Sequence, residues 1–320
     1  MAPWVPRMHL FEIDDQPWFH PWFRAKVQAA LTEAWNSRNP PIQPVSPARI
    51  VSRLLQDHLG DKLSNYVFVD FCAGGGGPTP SVEQYINQDL SPSPSVPNGS
   101  SNGQSNGHGI RKATGGPVQF ILTDLHPHIE NWSQAATQSP NLHFSPDPID
   151  ASNAPTDLLT NHINTKLSPS ITQTKKPFRL YNLAFHHFDD PLARSILRNT
   201  VETSDGFAIF ELQDRSFRGF FSCCLLGIGV LLLTPVYAWR WRSPGTLFWS
   251  WIIPVLPFVL VFDGWMSAMR TRTADEVEAL LRTCGADKRE LEKWQVKSGS
   301  VLHLPPVAYV NWIICTKREE

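Results

Sequence analysis

An apolar run that ends in an acid and turns at once through four glycines sets the terms for this chain. Tyr66-Val67-Phe68-Val69-Asp70 leads into Phe71-Cys72-Ala73-Gly74-Gly75-Gly76-Gly77-Pro78-Thr79-Pro80. Glycines at a strand end let the backbone turn tightly and approach a ligand closely, and a helix starting after the turn would supply unpaired N–H groups. A nucleotide-like ligand fits such a turn.

The rest of the chain alternates in the same way. Strands are predicted at 66–70, 118–123, 178–183, 206–212, 291–296 and 307–316, and helices at 21–35, 191–200 and 274–283. A further helix is predicted from Pro47 to about His58, with Ser46 as its N-cap and Gly60 closing it. Alternating strands and helices imply a mostly parallel sheet covered on both faces. The last two strands, with no helix between them, would pair antiparallel. The expectation is an α/β three-layer sandwich. Between about 89 and 116 the sequence turns to Ser, Pro, Asn and Gly, a composition that buries too little apolar surface to offset ordering, so a disordered insertion is expected there.

The 320 residues, 42% of them hydrophobic, suffice for one large domain, and 28 basic against 29 acidic residues leave no global field for a phosphate backbone. Nucleic acid is not an expected partner. The five cysteines form no C-x-x-C pair and no His/Cys ligand cluster, which implies neither a zinc site nor a disulfide framework and suggests a reducing compartment. The opening MAPWVPRMHLFEIDD reads as neither a secretory signal nor a transit peptide.

A dinucleotide fingerprint would need a glycine where Thr79 stands, so a nicotinamide cofactor is disfavoured. The turn resembles instead the D/E-x-G-x-G-x-G motif of the class I S-adenosylmethionine (SAM) dependent methyltransferases, with Asp70 as the acid, Cys72 in place of the first glycine, and Gly74 and Gly76 in position. That resemblance implies a Rossmann-like fold and SAM as cofactor. Asp70, Cys72, Ala73, Gly74 and Gly76 would face its methionine portion, and Asp124, after the second strand, its ribose hydroxyls. In Pro148-Ile149-Asp150-Ala151, read as the third-strand end, Asp150 would contact the adenine, although a plain Asx turn explains Asp150 equally well. The run 180–191, containing Asn182, Ala184, His186 and His187, resembles the fourth-strand motif of small-molecule and quinone-type methyltransferases, beside the transferred methyl, which implies that Asn182 and Ala184 bind the cofactor. It lacks the Asn/Asp-Pro-Pro-aromatic signature of base methylation.

An activated sulfonium methyl mainly requires alignment and dryness, so no dedicated nucleophile and no metal is implied. A hydroxyl or carbon acceptor would gain from a base, for which His186 or His187 is the candidate; a satisfied core or solvent-facing histidine is the alternative. Glu211, at the end of the fifth strand, could touch the acceptor or pair with Arg215. The segments around 9–19 and 263–271 resemble those of a little-characterised group of methyltransferase-like proteins that carry variants of HLFE-x-x-DQPW and DG-x-x-S-x-LR. By that resemblance the N-terminal segment is a lid, with Glu12, Asp15, Trp18 and Phe19 as acceptor-pocket candidates or as a packed cap.

Two uncharged runs, 220–238 and 243–262, are each about 20 residues long, enough to span a hydrocarbon core of roughly 30 Å. A spanning hairpin, a shallow insertion and a buried lid all remain open, since Arg240 and Arg242 in the loop oppose crossing while the tryptophans suit a headgroup boundary. An apolar wall near the acceptor suggests a lipid, quinone, terpenoid or polyketide-like substrate. The organisation read from sequence is an N-terminal cap (1–44), a core (45–215), a membrane-associated hairpin (216–262) and the rest of the core (263–320), with the catalytic domain in the cytoplasm. Its rivals are a catalytically silent membrane scaffold and, less favoured, a nicotinamide-dependent reductase.

Overall fold

The computed structural model describes residues 3–91, 116–165, 167–168, 171 and 175–318. Local sequence rules account for the helix starts. Helix α1 (Pro21–Asn36) and helix α2 (Pro47–Leu59) each carry proline in the first turn, where its missing N–H costs nothing. Ser46 accepts from the Arg49 amide to cap α2, and Gly60, at φ 53°, ends it. Strand β1 (Tyr66–Phe71) is buried throughout. Helix α3 (Thr79–Leu90) follows the glycine turn. It includes Asp89 and Leu90, so the expected insertion begins later than read; the bulk of that insertion lies outside the described residues.

Strand β2 (Gln119–Thr123), helix α4 (Ile129–Ala136) and strand β3 (Leu142–Phe144) come next, then the short helix α5 (Leu158–Asn161) and strand β4 (Lys176–Asn182). Helix α6 (Asp190–Thr203) is capped by Asp189, which accepts from the Leu192 amide, and leads to strand β5 (Gly206–Glu211). The apolar insertion forms helix α7 (Phe217–Arg240), the short helix α8 (Pro244–Leu247) with a wide turn over Phe248–Ile252, and helix α9 (Val255–Arg270). Helix α10 (Ala274–Arg282), opened by a Thr273/Glu276 capping box, helix α11 (Lys288–Glu292), strand β6 (Trp294–Leu304) and strand β7 (Ala308–Lys317) complete the fold.

Two sequence boundaries are corrected. The third strand ends at Phe144, short of residues 148–151, which lie in the loop beyond it. The predicted strand at 291–296 begins only at Trp294, because Asp287 caps a turn of helix at 288–292 by accepting from the Arg289 and Glu290 amides.

Among the described residues seven strands form one sheet in the order β3-β2-β1-β4-β5-β7-β6; β1 to β5 are parallel, and β7 runs antiparallel to both β5 and β6. This is the Rossmann-like three-layer sandwich, and it carries all the parallel strand ends to one edge. Successive side chains point to opposite faces. Val67, Val69 and Phe71 therefore join α6 and α10 on one side, while Phe68, Phe120 and Phe178 join α2 and α3 on the other. A third cluster lies outside the sandwich, where Phe19 and Val27 pack on Leu256, Val259 and Leu260, so the N-terminal segment and the apolar insertion share one small core.

Candidate active site

The turn after β1 is built from left-handed backbone. Gly76 sits at φ 108°, where a side chain would be strained, and Cys72 sits at φ 61° without being glycine. Where Cys72 replaces the glycine of the motif, the chain keeps the glycine conformation. The turn is held from two sides: the Gly74 amide donates to Asp124 Oδ2 at 2.9 Å, and Trp132 Nε1 donates to the Gly74 carbonyl at 2.8 Å. The Gly76 and Thr79 amides donate to the carbonyls of Ala73 and Gly76, so the turn consumes much of its own donor capacity.

Three carboxylates surround this turn. Burial pushes the Cys72 thiol up, and the negative charges of Asp124, Asp70 and Asp150 push it further. Asp70 is fully buried at the end of β1. Its Oδ2 accepts from Thr79 Oγ1 at 2.5 Å and from Asn182 Nδ2 at 3.2 Å, and Asn182 Nδ2 also donates to Thr79 Oγ1 at 3.0 Å. Burial lifts the Asp70 pKa to about 7 despite those bonds. Asp70 Oδ1 and Asn182 Oδ1, both buried, have no partner among the described residues. A buried acceptor without a donor is costly. The pair invites a ligand that brings N–H groups or positive charge.

The other acidic candidates are already engaged. Asp124 Oδ1 accepts from the His126 amide at 2.8 Å, while exposed Asp150 accepts from both the amide and the hydroxyl of Ser152, the Asx turn weighed from sequence. Buried Arg179 donates to the Ala151 carbonyl at 2.9 Å and fixes the loop that carries Asp150.

A second group of residues gathers at the ends of β4 and β5. His186 is buried and its Nδ1 lies 2.9 Å from Glu211 Oε2, with Nε2 3.7 Å from Glu12 Oε1. Glu211 therefore pairs with histidine. The expected alternative, a bridge to Arg215, is replaced by Arg215–Glu276 at 2.5 Å. His187 stacks on His186 with ring centroids 4.2 Å apart and meets Asp15 Oδ2 at 3.3 Å. Burial alone would lower the His187 pKa, but the Asp15 hydrogen bond and the charges of Glu12 and Asp15 outweigh it and raise the value to about 9. His187 Nδ1 and Arg270 in turn hold Asp15 well below the usual carboxylate range against the effect of burial.

Spacing implied no metal, yet Glu12, His186 and His187 bring one ligand atom each within 4.8 Å of one another. Arg270 already occupies the electrostatic role of a cation there: its Nη1 is 3.0 Å from both Glu12 Oε1 and Asp15 Oδ2. The arrangement is a network of hydrogen bonds and ion pairs with His186 at its buried end.

The N-terminal segment reaches this site because α9 holds it. Asp263 accepts from the Ile13 and Asp14 amides at 2.7 and 2.9 Å, and Ser267 Oγ donates to Glu12 at 2.9 Å. Phe19 is not at the site: it is buried in the small core beside α9, and Trp18 faces solvent. Beside His186 and Glu211 opens a cavity of about 570 Å³, lined also by Gln213, Ser300, Asn311 and Trp312. Its wall is mixed, with Phe185, Ile209 and Val277 beside the polar residues.

Thr79, Arg270 and Asp263 were not singled out from sequence. Thr79 directly follows the glycine run, and the other two stand inside the segment 263–271 quoted for its resemblance. Their charge partners lie some 250 residues away.

Comparison with known protein families gives no matching profile, and no curated protein matches the sequence. Among solved structures, the chain is similar to the pyocyanin biosynthetic protein PhzM, with 15% identity, 85% of this chain and 54% of that chain covered, and a TM-score of 0.40. It is similar to an O-methyltransferase family protein from Burkholderia thailandensis, with 12% identity, 93% and 70% covered, and a TM-score of 0.39. A Rhodobacter sphaeroides protein assigned to the Zn-dependent alcohol dehydrogenases is similar at 10% identity, with 93% and 98% covered and a TM-score of 0.41. The chain spans about half the length of PhzM.

Proposed function

We propose that the protein is a SAM-dependent methyltransferase that acts at a membrane on a small acceptor with an apolar body, of the lipid, quinone, terpenoid or polyketide-like kind. The observation that carries this reading is the pair of orphaned buried oxygens, Asp70 Oδ1 and Asn182 Oδ1, beside the glycine turn. SAM bears an ammonium and a sulfonium, and when bound it supplies an already activated methyl group. Asp70 and Asn182 would accept from the ammonium, the 72–76 turn would pass along the methionine portion, and Asp124 and Asp150 would face the ribose and the adenine.

The same observation weighs against a nicotinamide cofactor. A pyrophosphate needs free amide donors and positive potential; here the Gly74, Gly76 and Thr79 amides are spent within the fold and the neighbouring charges are negative.

On the acceptor side, His186 is the base candidate, oriented by Glu211 through Nδ1, and the cavity beside it lets Gln213 and Asn311 hold an acceptor's polar group. His187 is held protonated by Asp15 and Glu12, so at neutral pH it donates rather than accepts. The test is calorimetry with SAM and with NADH, followed by incubation with methyl-labelled SAM and a lipid extract of the source cells and mass analysis of labelled product. Tighter binding of NADH than of SAM overturns the reading, and SAM binding without any labelled product favours the silent scaffold.

A further inference from the structure

Between Ser216 and Phe262 the chain carries three arginines, Arg218, Arg240 and Arg242, and no acidic residue. Helix α7 has two unlike faces. Gly219, Cys223 and Gly227 form a narrow buried stripe, and a Cβ on Gly227 would lie 2.3 Å from Val261 Cγ2 of α9, so the two helices touch almost backbone to backbone. The opposite face carries Ile228, Leu232, Val236 and Trp239 at helical spacing, all exposed, with Leu232 at 72% and Trp239 at 83%. The wide turn after α8 continues this surface: Trp251 Nε1 donates to the Leu231 carbonyl, and Ile252 is 71% exposed.

By length and composition α7 can cross a bilayer, since 24 residues span about 36 Å. Its attachments point the other way. The far end of the hairpin is fastened to α1: Tyr237 Oη donates to Glu33 at 3.2 Å, Arg240 pairs with Glu33 at 3.4 Å, and Lys26 lies 4.9 Å from the Trp241 ring centroid. Helix α1 in turn packs on α2, which is part of the sandwich. Sending α7 through hydrocarbon would either break these contacts with α1 or take Arg24, Lys26 and Glu33 in with it, and charges in hydrocarbon are costly. The second apolar run is no straight span either, because it bends by 69° between Pro244–Ile252 and Val255–Arg270.

We propose that the outer face of α7, together with the Phe248–Ile252 turn, docks flat on a bilayer surface containing anionic phospholipid and does not cross it. Arg218, Arg240 and Arg242, all exposed, match the headgroup charge, and Trp239 and Trp251 suit the headgroup boundary. Ser216, the N-cap of α7, lines the 570 Å³ cavity, so this docking sets the cavity beside the bilayer. The inference rests on the membrane part of the reading above and is independent of methyl transfer.

The test is flotation of the full chain with sealed phosphatidylcholine vesicles, with and without roughly a third phosphatidylserine. Flotation with the anionic vesicles is expected, at least tenfold weakened in pure phosphatidylcholine and by raised salt. The double variant Leu232→Asp, Ile252→Asp is expected to lose flotation about tenfold or more while keeping its thermal midpoint and its SAM affinity. In the bound state, a Pro244→Cys variant should react with an impermeant maleimide added outside, above the background of the parent chain. A protected tip with intact flotation would mean a crossing hairpin, which overturns flat docking and leaves membrane association standing. Absence of flotation overturns both, and a dimer in solution that the double variant disperses would assign the face to a second copy of the chain and overturn the proposal.

Discussion

Thr79 donates to Asp70 across the glycine turn at 2.5 Å, and that contact occupies one carboxylate oxygen while the other stays buried and without a partner among the described residues. The first helix after the turn thus fixes the acid that ends the first strand, in an orientation that still has capacity for a donor. The predictions about ligand binding start from this pair.

Asp70 links ligand binding to pH. Its folded pKa is raised to about 7, from 3.8, by burial. Between those values the folded chain keeps a proton that the unfolded chain has released, so stability from this group is present below the lower value and falls as pH rises toward 7. The change amounts to at most about 4 kcal/mol. Asp70→Asn should flatten that part of the urea-midpoint profile. SAM affinity in the parent should rise about tenfold as Asp70 ionises between roughly pH 6 and 8, and in the variant it should be weak throughout. If Asp70→Asn binds SAM as tightly as the parent, Asp70 Oδ1 is not the acceptor for the ammonium.

The two adjacent histidines should separate cleanly. His187, raised to about 9 by Asp15 and Glu12, contributes stability that is complete below its ordinary value of 6.5 and lost as pH rises through 9. Its ring should titrate near that value by NMR, and Asp15→Asn should bring it down toward 6.5. With an acceptor in hand, His186→Asn should lower kcat by about 10² to 10⁴-fold and Glu211→Gln should shift the pH–rate profile. His187→Asn should cost less than about tenfold in kcat. The opposite ranking of the two histidines would move the base to His187.

How much of this was legible in the sequence depended on distance along the chain. Helix α2 was readable because Ser46, Pro47 and Gly60 act on their own neighbours, and β1 because its apolar run is continuous. The acids Asp70 and Asp124 were placed by motif position, and both border the turn. Phe19 stayed open between acceptor pocket and packed cap because an aromatic next to acidic residues looks the same in either; only its packing on Leu256 and Leu260 tells them apart. Arg270 and Asp263 are charges in an apolar helix whose partners lie at the far end of the chain, and no local pattern reports such a pairing. The fastening of the hairpin tip to α1 depends on Glu33, whose partners Tyr237 and Arg240 lie some 200 residues further on, beyond the reach of any local pattern.

Cys72 gives a test of the motif itself. A non-glycine residue at φ 61° carries a conformational cost of roughly 1 to 2 kcal/mol, and glycine there would relieve it while adding entropy to the unfolded chain. Cys72→Gly should therefore hold the thermal midpoint within about 1 kcal/mol of the parent and keep SAM affinity, whereas Cys72→Val, β-branched at a left-handed position, should lose more than about 2 kcal/mol. Equal tolerance of both substitutions would mean that the turn does not need this backbone.

Gly227 and Gly229 sit two residues apart in α7 and should respond with opposite signs. A Cβ on Gly229 meets nothing within 4 Å, so Gly229→Ala gains helix propensity and should stabilise by about 0.5 to 1 kcal/mol. On Gly227 the same methyl group would stand 2.3 Å from Val261 Cγ2, and valine has a single favoured rotamer in a helix with which to yield. Gly227→Ala should therefore cost about 1 to 3 kcal/mol as the helices are pushed apart. Trimming the obstacle should reverse that cost, so Gly227→Ala combined with Val261→Ala is expected to be more stable than the sum of the single changes predicts, by 1 kcal/mol or more on a double-mutant cycle. Denaturation of the four chains measures it. Strict additivity would show that α7 and α9 do not meet at this point, and with that the close packing that turns the outer face of α7 to solvent would be lost.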